Sequence, residues 1–138
     1  MTPQALADLH RRAFMSERAW SAQEFSDLLS NKYVSFIDEP GGFALIRSVA
    51  GEDELLTLAV DPACRRQGIA DRLMSHWLAK PTGNIAFLEV AADNTPARRL
   101  YEKHGFAETG RRKAYYARDG RPAVDALLMS NAPKTFRI

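Results

Sequence analysis

The stretch from Leu55 to Met74 limits the architecture more than any other part of the chain. Leu55-Leu56-Thr57-Leu58-Ala59-Val60 is an apolar, strand-like run. Asp61-Pro62 stops it, because proline cannot donate to a ladder and lets neighbouring strands part. Cys64-Arg65-Arg66-Gln67-Gly68 is a short basic turn ending in glycine. From Gln67 to Ala79, Ile69, Ala70, Leu73, Met74, Trp77 and Leu78 recur on one face, so the spacing predicts a helix. Strand, glycine turn and helix in that order put several unpaired N–H groups, a positive helix end and two arginines at one point. Such a point suits a pyrophosphate.

The remaining elements follow the same logic. Gln4–Phe14 has a helical rhythm, and Ser21 with Glu24 forms a capping box ahead of Phe25, Leu28 and Leu29. Tyr33–Asp38, Phe43–Val49 and Leu55–Val60 read as strands, with turns at Glu39-Pro40-Gly41-Gly42 and at Ala50-Gly51-Glu52-Asp53. Pro81-Thr82-Gly83-Asn84 breaks the central helix before the strand Ile85–Ala91. A further helix starts at Thr95-Pro96, runs to His104 and is stopped by Gly105. Phe106–Tyr116 and Val124–Met129 pair across Asp119-Gly120, a hairpin signal. The order α-α-β-β-β-α-β-α-β-β defines an α/β fold with a mixed central β-sheet flanked by helices, here expected as one domain over residues 1–138.

Composition narrows the function. A net charge of +2, from 19 Lys+Arg against 17 Asp+Glu, gives no field that argues for nucleic acid. No apolar run reaches the length of a membrane span. The single Cys64 and the scattered His10, His76 and His104 show no zinc-type spacing, so no metal is expected. A lone cysteine also excludes an internal disulfide, and a cytoplasmic setting is expected.

On its own, Arg65-x-x-Gly68-x-Ala70 is neither a Walker loop nor a dinucleotide fingerprint. In context it is more informative. With Leu88-Glu89-Val90, Asn94, Ala97 and Leu100-Tyr101-Glu102-Lys103-His104-Gly105-Phe106, the chain resembles the GNAT superfamily of acetyl-CoA-dependent N-acetyltransferases over essentially its whole length. Within it, Phe14, Trp20-Ser21, Phe25, Leu58-Ala59-Val60-Asp61-Pro62, Arg111-Arg112-Lys113-Ala114-Tyr115-Tyr116 and Asp119-Gly120-Arg121 resemble bacterial members that acetylate a ribosomal protein.

The resemblance implies acetyl-CoA as donor, with pantetheine beside Leu58, Ala59 and Val60 and diphosphate on the turn from Arg65 and Arg66 through Gln67, Gly68, Ile69 and Ala70 to Asp71. For Asp71 the backbone, rather than the carboxylate, is expected to serve. Asn94 is implied as a further cofactor contact. Glu89 is implied as the general base, Tyr101 as the general acid, and Phe14, Trp20 and Tyr115-Tyr116 as walls of the acceptor groove. The expected acceptor is a protein N-terminus, in particular the N-terminal alanine of a small-subunit ribosomal protein, with the enzyme a monomer or weak homodimer. A lysine side chain or small amine as acceptor stays open, as does a non-catalytic acetyl-CoA-binding module. Cys64 is expected to be a bystander, His104 a helix-end residue, and Glu52-Asp53-Glu54 a solvated turn that could attract a basic acceptor.

Overall fold

The computed structural model describes residues 1–14, 17–79 and 83–132. Helix α1 (Pro3–Ala13) opens with Thr2, whose side chain accepts from the Ala5 N–H, and with proline in its first turn. In α2 (Ala22–Leu29) the capping box forms as the spacing predicts: Ser21 accepts from the Glu24 N–H, and the Glu24 carboxylate accepts from the Ser21 N–H.

Strands β1 (Val34–Glu39), β2 (Gly42–Val49) and β3 (Glu52–Val60) follow as an antiparallel meander. A short 3-10 turn (Pro62–Cys64) leads to α3 (Ile69–Leu78), then β4 (Ile85–Ala91) and α4 (Thr95–Lys103). The hairpin of β5 (Ala107–Arg118) and β6 (Arg121–Ser130) ends the order. The six strands form one sheet, β1-β2-β3-β4-β6-β5, in which only β3 and β4 run parallel. The sheet is therefore mixed, with helices on both faces.

Strand alternation sorts β2 between two cores. Phe43 and Leu45 pack with Leu6, Leu9 and Phe25 of α1 and α2. Ala44 and Ile46 point the other way, to Met74 and Trp77 of α3 and to Tyr101 and Phe106 around α4. No described helix is long and apolar enough to cross a membrane.

One irregularity positions the site. Leu45 pairs with Thr57 but Ile46 pairs with Leu55, so Leu56 is an extra residue, a β-bulge in β3. The bulge resets the alternation, and Leu55 and Leu58, three apart, both face the α3–α4 core. It also bends the strand away from β4. Parallel pairing of β3 with β4 covers only Glu52↔Ile85 to Glu54↔Phe87. Beyond it β3 leans on β2 alone and β4 on β6 alone. The sheet parts like a V, closed at Glu52–Glu54.

Most element limits shift by one to three residues from the sequence expectation, β6 beginning already at Arg121, and two differences bear on the site. Glu52-Asp53-Glu54 is strand, not turn: Asp53 is buried and accepts from Asn84 Nδ2 at 3.0 Å, and Glu54 pairs with Arg47. These residues pair with Arg47–Val49 across the two-residue turn Ala50-Gly51 on one side and with Ile85–Phe87 of β4, some thirty residues on, on the other. The α3 helix starts at Ile69 rather than Gln67, because Gly68 is its N-cap in the left-handed conformation, φ +74°. Pro81 and Thr82 of the expected breaker lie outside the described residues.

Candidate active site

Two cavities meet at the opening between β3 and β4. The first, about 570 Å³, is walled by Phe14, Trp20, Tyr115 and Tyr116 and contains Glu89 of β4. The second, about 950 Å³, runs along the end of β3 and the start of α3. Phe14, Glu17, Leu58, Asn94, Tyr101 and Arg118 line both, and so form the neck between them.

The larger cavity is built from the strand end, the glycine turn and a helix N-terminus. The Asp61 N–H donates to the Gly41 carbonyl at 2.8 Å, toward β2. In an antiparallel ladder successive residues alternate, so the amides of Val60 and Leu58 face the opening, where β4 offers no partner. An extended amide-bearing arm can add there as a strand would.

Further along, Arg66 (φ +64°) and Gly68 (φ +74°) are both left-handed. This curls the turn so that successive N–H groups converge. Gly68 provides no side-chain cap, which leaves the first-turn N–H groups of α3 open to an anion at the positive end of the dipole. The site fits a diphosphate with an amide-rich arm on these grounds. Asp71 is occupied elsewhere: its carboxylate contacts Lys103 Nζ and His104 Nε2, both at 3.0 Å. The Lys103 contact, then that of His104, holds the carboxyl below the usual range. His104 thus ties the end of α4 to the start of α3, a contact beyond the helix-end role read from sequence.

The structure brings every expected cofactor residue to this cavity except Gln67, which sits on the exposed outside of the turn, its carbonyl accepting from Arg72 at 2.8 Å. Cys64 is on the same wall. Asn94 caps α4, its side chain accepting from the Ala97 N–H at 3.2 Å, and so fixes the helix that carries Tyr101. Tyr101 is packed against Phe106, and burial raises its phenol well above the usual range.

In the smaller cavity Glu89 stands between Leu88 and Val90, on the face opposite both, and Arg112 reaches it at 3.2 Å. Burial, then the negative charge of Glu89 and Glu17, pushes the Tyr116 hydroxyl up to about 12. The acidic Glu52–Glu54 segment lies at the closed end of the V and lines neither cavity.

Four site residues escape sequence reasoning. Arg118, with a side chain only 3% exposed, is gripped by Asp93 at 2.7 and 2.8 Å and touches Glu17 at 3.2 Å. These three residues come from three separate parts of the chain, and nothing in their local sequence pairs them. His10 lines the smaller cavity from α1. Its position on the apolar stripe with Leu6, Leu9 and Ala13 was the one available signal.

A parted mixed sheet with a turn of open N–H groups beside the parting is the architecture of a GNAT-type N-acetyltransferase. The chain belongs to the acetyltransferase (GNAT) family, whose sequence profile matches residues 4–106. It is 30% identical to the N-alpha-acetyltransferase RimI of Mycobacterium tuberculosis, over 94% of this chain and 88% of that protein. It is 36% identical to the ribosomal protein bS18-alanine N-acetyltransferase of Escherichia coli, over 80% of this chain and 79% of that one. The crystal structure of the Escherichia coli ribosomal-protein-S18-alanine N-acetyltransferase superimposes with a TM-score of 0.83, 29% identity, and 93% and 85% coverage. Arabidopsis thaliana NAA60, solved with acetyl-CoA, shares the fold with a TM-score of 0.74 at 21% identity, covering 94% of this chain and 92% of NAA60.

Proposed function

We propose that the chain acetylates the α-amino group of a protein N-terminus, its acceptor being the N-terminal alanine of a small-subunit ribosomal protein. The observation that carries this reading is the neck. A donor cavity and an acceptor cavity join where Tyr101 lines both and Glu89 stands on the acceptor side. The name of the Mycobacterium tuberculosis relative supports an α-amino acceptor, and that of the Escherichia coli relative supports the alanine of a ribosomal protein.

Acetyl-CoA supplies the activated acyl group, and the chain's residues manage two protons. A free α-amino group, with a pKa of about 7.7–8.0, is mostly protonated at neutral pH and must lose a proton before it can attack. Glu89 accepts that proton, directly or through a water. Its partner Arg112 is more than half exposed, at 57%, so the ion pair is weak enough for an incoming amine to displace. Tyr101 keeps its proton at neutral pH because burial penalises the phenolate, and it donates to the departing sulfur. The Val60 amide faces the same opening and is placed to donate to the thioester oxygen. Arg65, the amides from Arg66 to Ala70 and the Asp71 backbone hold the diphosphate, while Leu58 and Ala59 flank the pantetheine arm.

The test uses purified protein, acetyl-CoA, a panel of peptides with free N-termini or lysines, and mass spectrometry to locate the added acetyl. The expected product carries acetyl on the α-amine of alanine-initiated peptides. Acetyl found only on lysine side chains overturns the acceptor assignment. Glu89→Gln should lower kcat by roughly 10²–10⁴-fold with acetyl-CoA affinity retained; a wild-type rate would remove the base.

A further inference from the structure

The acceptor cavity holds a second carboxylate besides Glu89. Its charged lining consists of Glu17, Glu89, Arg18 and Arg118. Both arginines, however, are engaged by acids that do not line this cavity. Arg18 donates to both carboxylate oxygens of Glu24 at 2.7 and 2.8 Å. Arg118 is held in a two-pronged contact by Asp93 at 2.7 and 2.8 Å, and reaches Glu17 at the longer distance of 3.2 Å. Glu89 has its own counter-charge in the half-exposed Arg112 at 3.2 Å, so each of the two carboxylates is paired with one arginine, Arg112 at the surface for Glu89 and Arg118, shared with Asp93, for Glu17.

Both act on one tyrosine, since the Tyr116 hydroxyl is raised by each of them. Glu17 also occupies the neck, which Glu89 does not. A cation entering the acceptor cavity meets Glu89 on one wall, Tyr116 beside it and Glu17 where the cavity opens to the donor side. A primary ammonium has three N–H donors and suits such a bracket.

We propose that Glu17 is a second acceptor-binding carboxylate, which with Glu89 receives the acceptor as an ammonium and aims it at the neck. Glu89 removes the proton; Glu17 binds and positions. Arg118 holds Glu17 at the neck and offsets its charge only in part, because the same guanidinium also pairs with Asp93 through two of its N–H groups. This inference rests on the reading that an amine enters through the Glu89 cavity.

Steady-state kinetics with the best peptide amine of the panel test it, on Glu17→Gln and Glu17→Asp. Glu17→Gln keeps the shape and removes the charge. Its acceptor KM is expected to rise by roughly tenfold or more, the loss of a charge-assisted contact, with kcat and the KM for acetyl-CoA near wild type. Glu17→Asp should recover part of the acceptor KM. An unchanged acceptor KM in Glu17→Gln overturns the proposal, while leaving the acetyl-transfer reading intact. A parallel loss in kcat and in both KM values, with a lowered melting temperature, overturns it in favour of a purely structural role. A wild type that acetylates no amine in the panel overturns both the proposal and the reading beneath it.

Discussion

His10 illustrates how one side chain couples stability to the acceptor wall. It is buried on α1, stacked on Trp20 at 5.0 Å and close to Phe14 at 4.5 Å, and its Nδ1 accepts from the Trp20 N–H at 3.4 Å. Burial, with Arg18 adding to it, lowers its pKa from 6.5 to about 4. The unfolded chain therefore takes up a proton between these values that the folded chain refuses. The stability His10 contributes is complete above about pH 6.5 and is lost as pH falls toward about 4. The shift corresponds to roughly 3 kcal/mol at most. Urea midpoints measured across this window should fall more steeply for the wild type than for His10→Gln. Parallel curves would mean that the imidazole is not held neutral. Protonation would also break the hydrogen bond from Trp20, so the acceptor groove and the fold loosen together.

Among the elements, the glycine turn and α3 depend most on a single backbone conformation. Gly68 sits at φ +74°, and a Cβ there would lie 3.2 Å from Arg72 Nη1. Left-handed geometry costs a residue with a side chain roughly 1–2 kcal/mol. That methyl group would also stand beside the first N–H groups of α3. Gly68→Ala should weaken acetyl-CoA binding in calorimetry while the protein stays folded; unchanged affinity would move the diphosphate away from this turn. Local signals made such elements legible. Ser21 with Glu24 and Thr95-Pro96 each mark a helix start through contacts within a few residues, whereas the start of α3 shifts from Gln67 to Ile69 once Gly68 turns left-handed. Glu52–Glu54 reads as a turn for the opposite reason. A charged triplet after Gly51 looks like a turn until β2 on one side and β4 on the other make it strand.

At the level of the whole molecule, the site exists because β3 and β4 share three paired positions and then separate. Glu89, Tyr101 and the turn residues were legible because each lies in a short recognisable pattern. The V itself could be inferred only from Pro62, since the bulge at Leu56 appears only once β2 is in register. The Glu17–Arg118–Asp93 bridge was illegible: Glu17 and Arg118 lie 101 residues apart and meet only because the hairpin folds back over the neck. Part of the acceptor wall, including Tyr115, Tyr116 and Arg118, also lies beyond the 4–106 span that matches the family.

A crystal structure of the protein with coenzyme A and an alanine-initiated peptide puts this arrangement to the test. The sulfur should lie within hydrogen-bond reach of the Tyr101 hydroxyl, with the diphosphate on the amides from Arg66 to Asp71 and the peptide amine at the neck beside Glu89. A sulfur directed away from Tyr101, or a peptide amine outside the cavity that holds Glu89, would contradict the account.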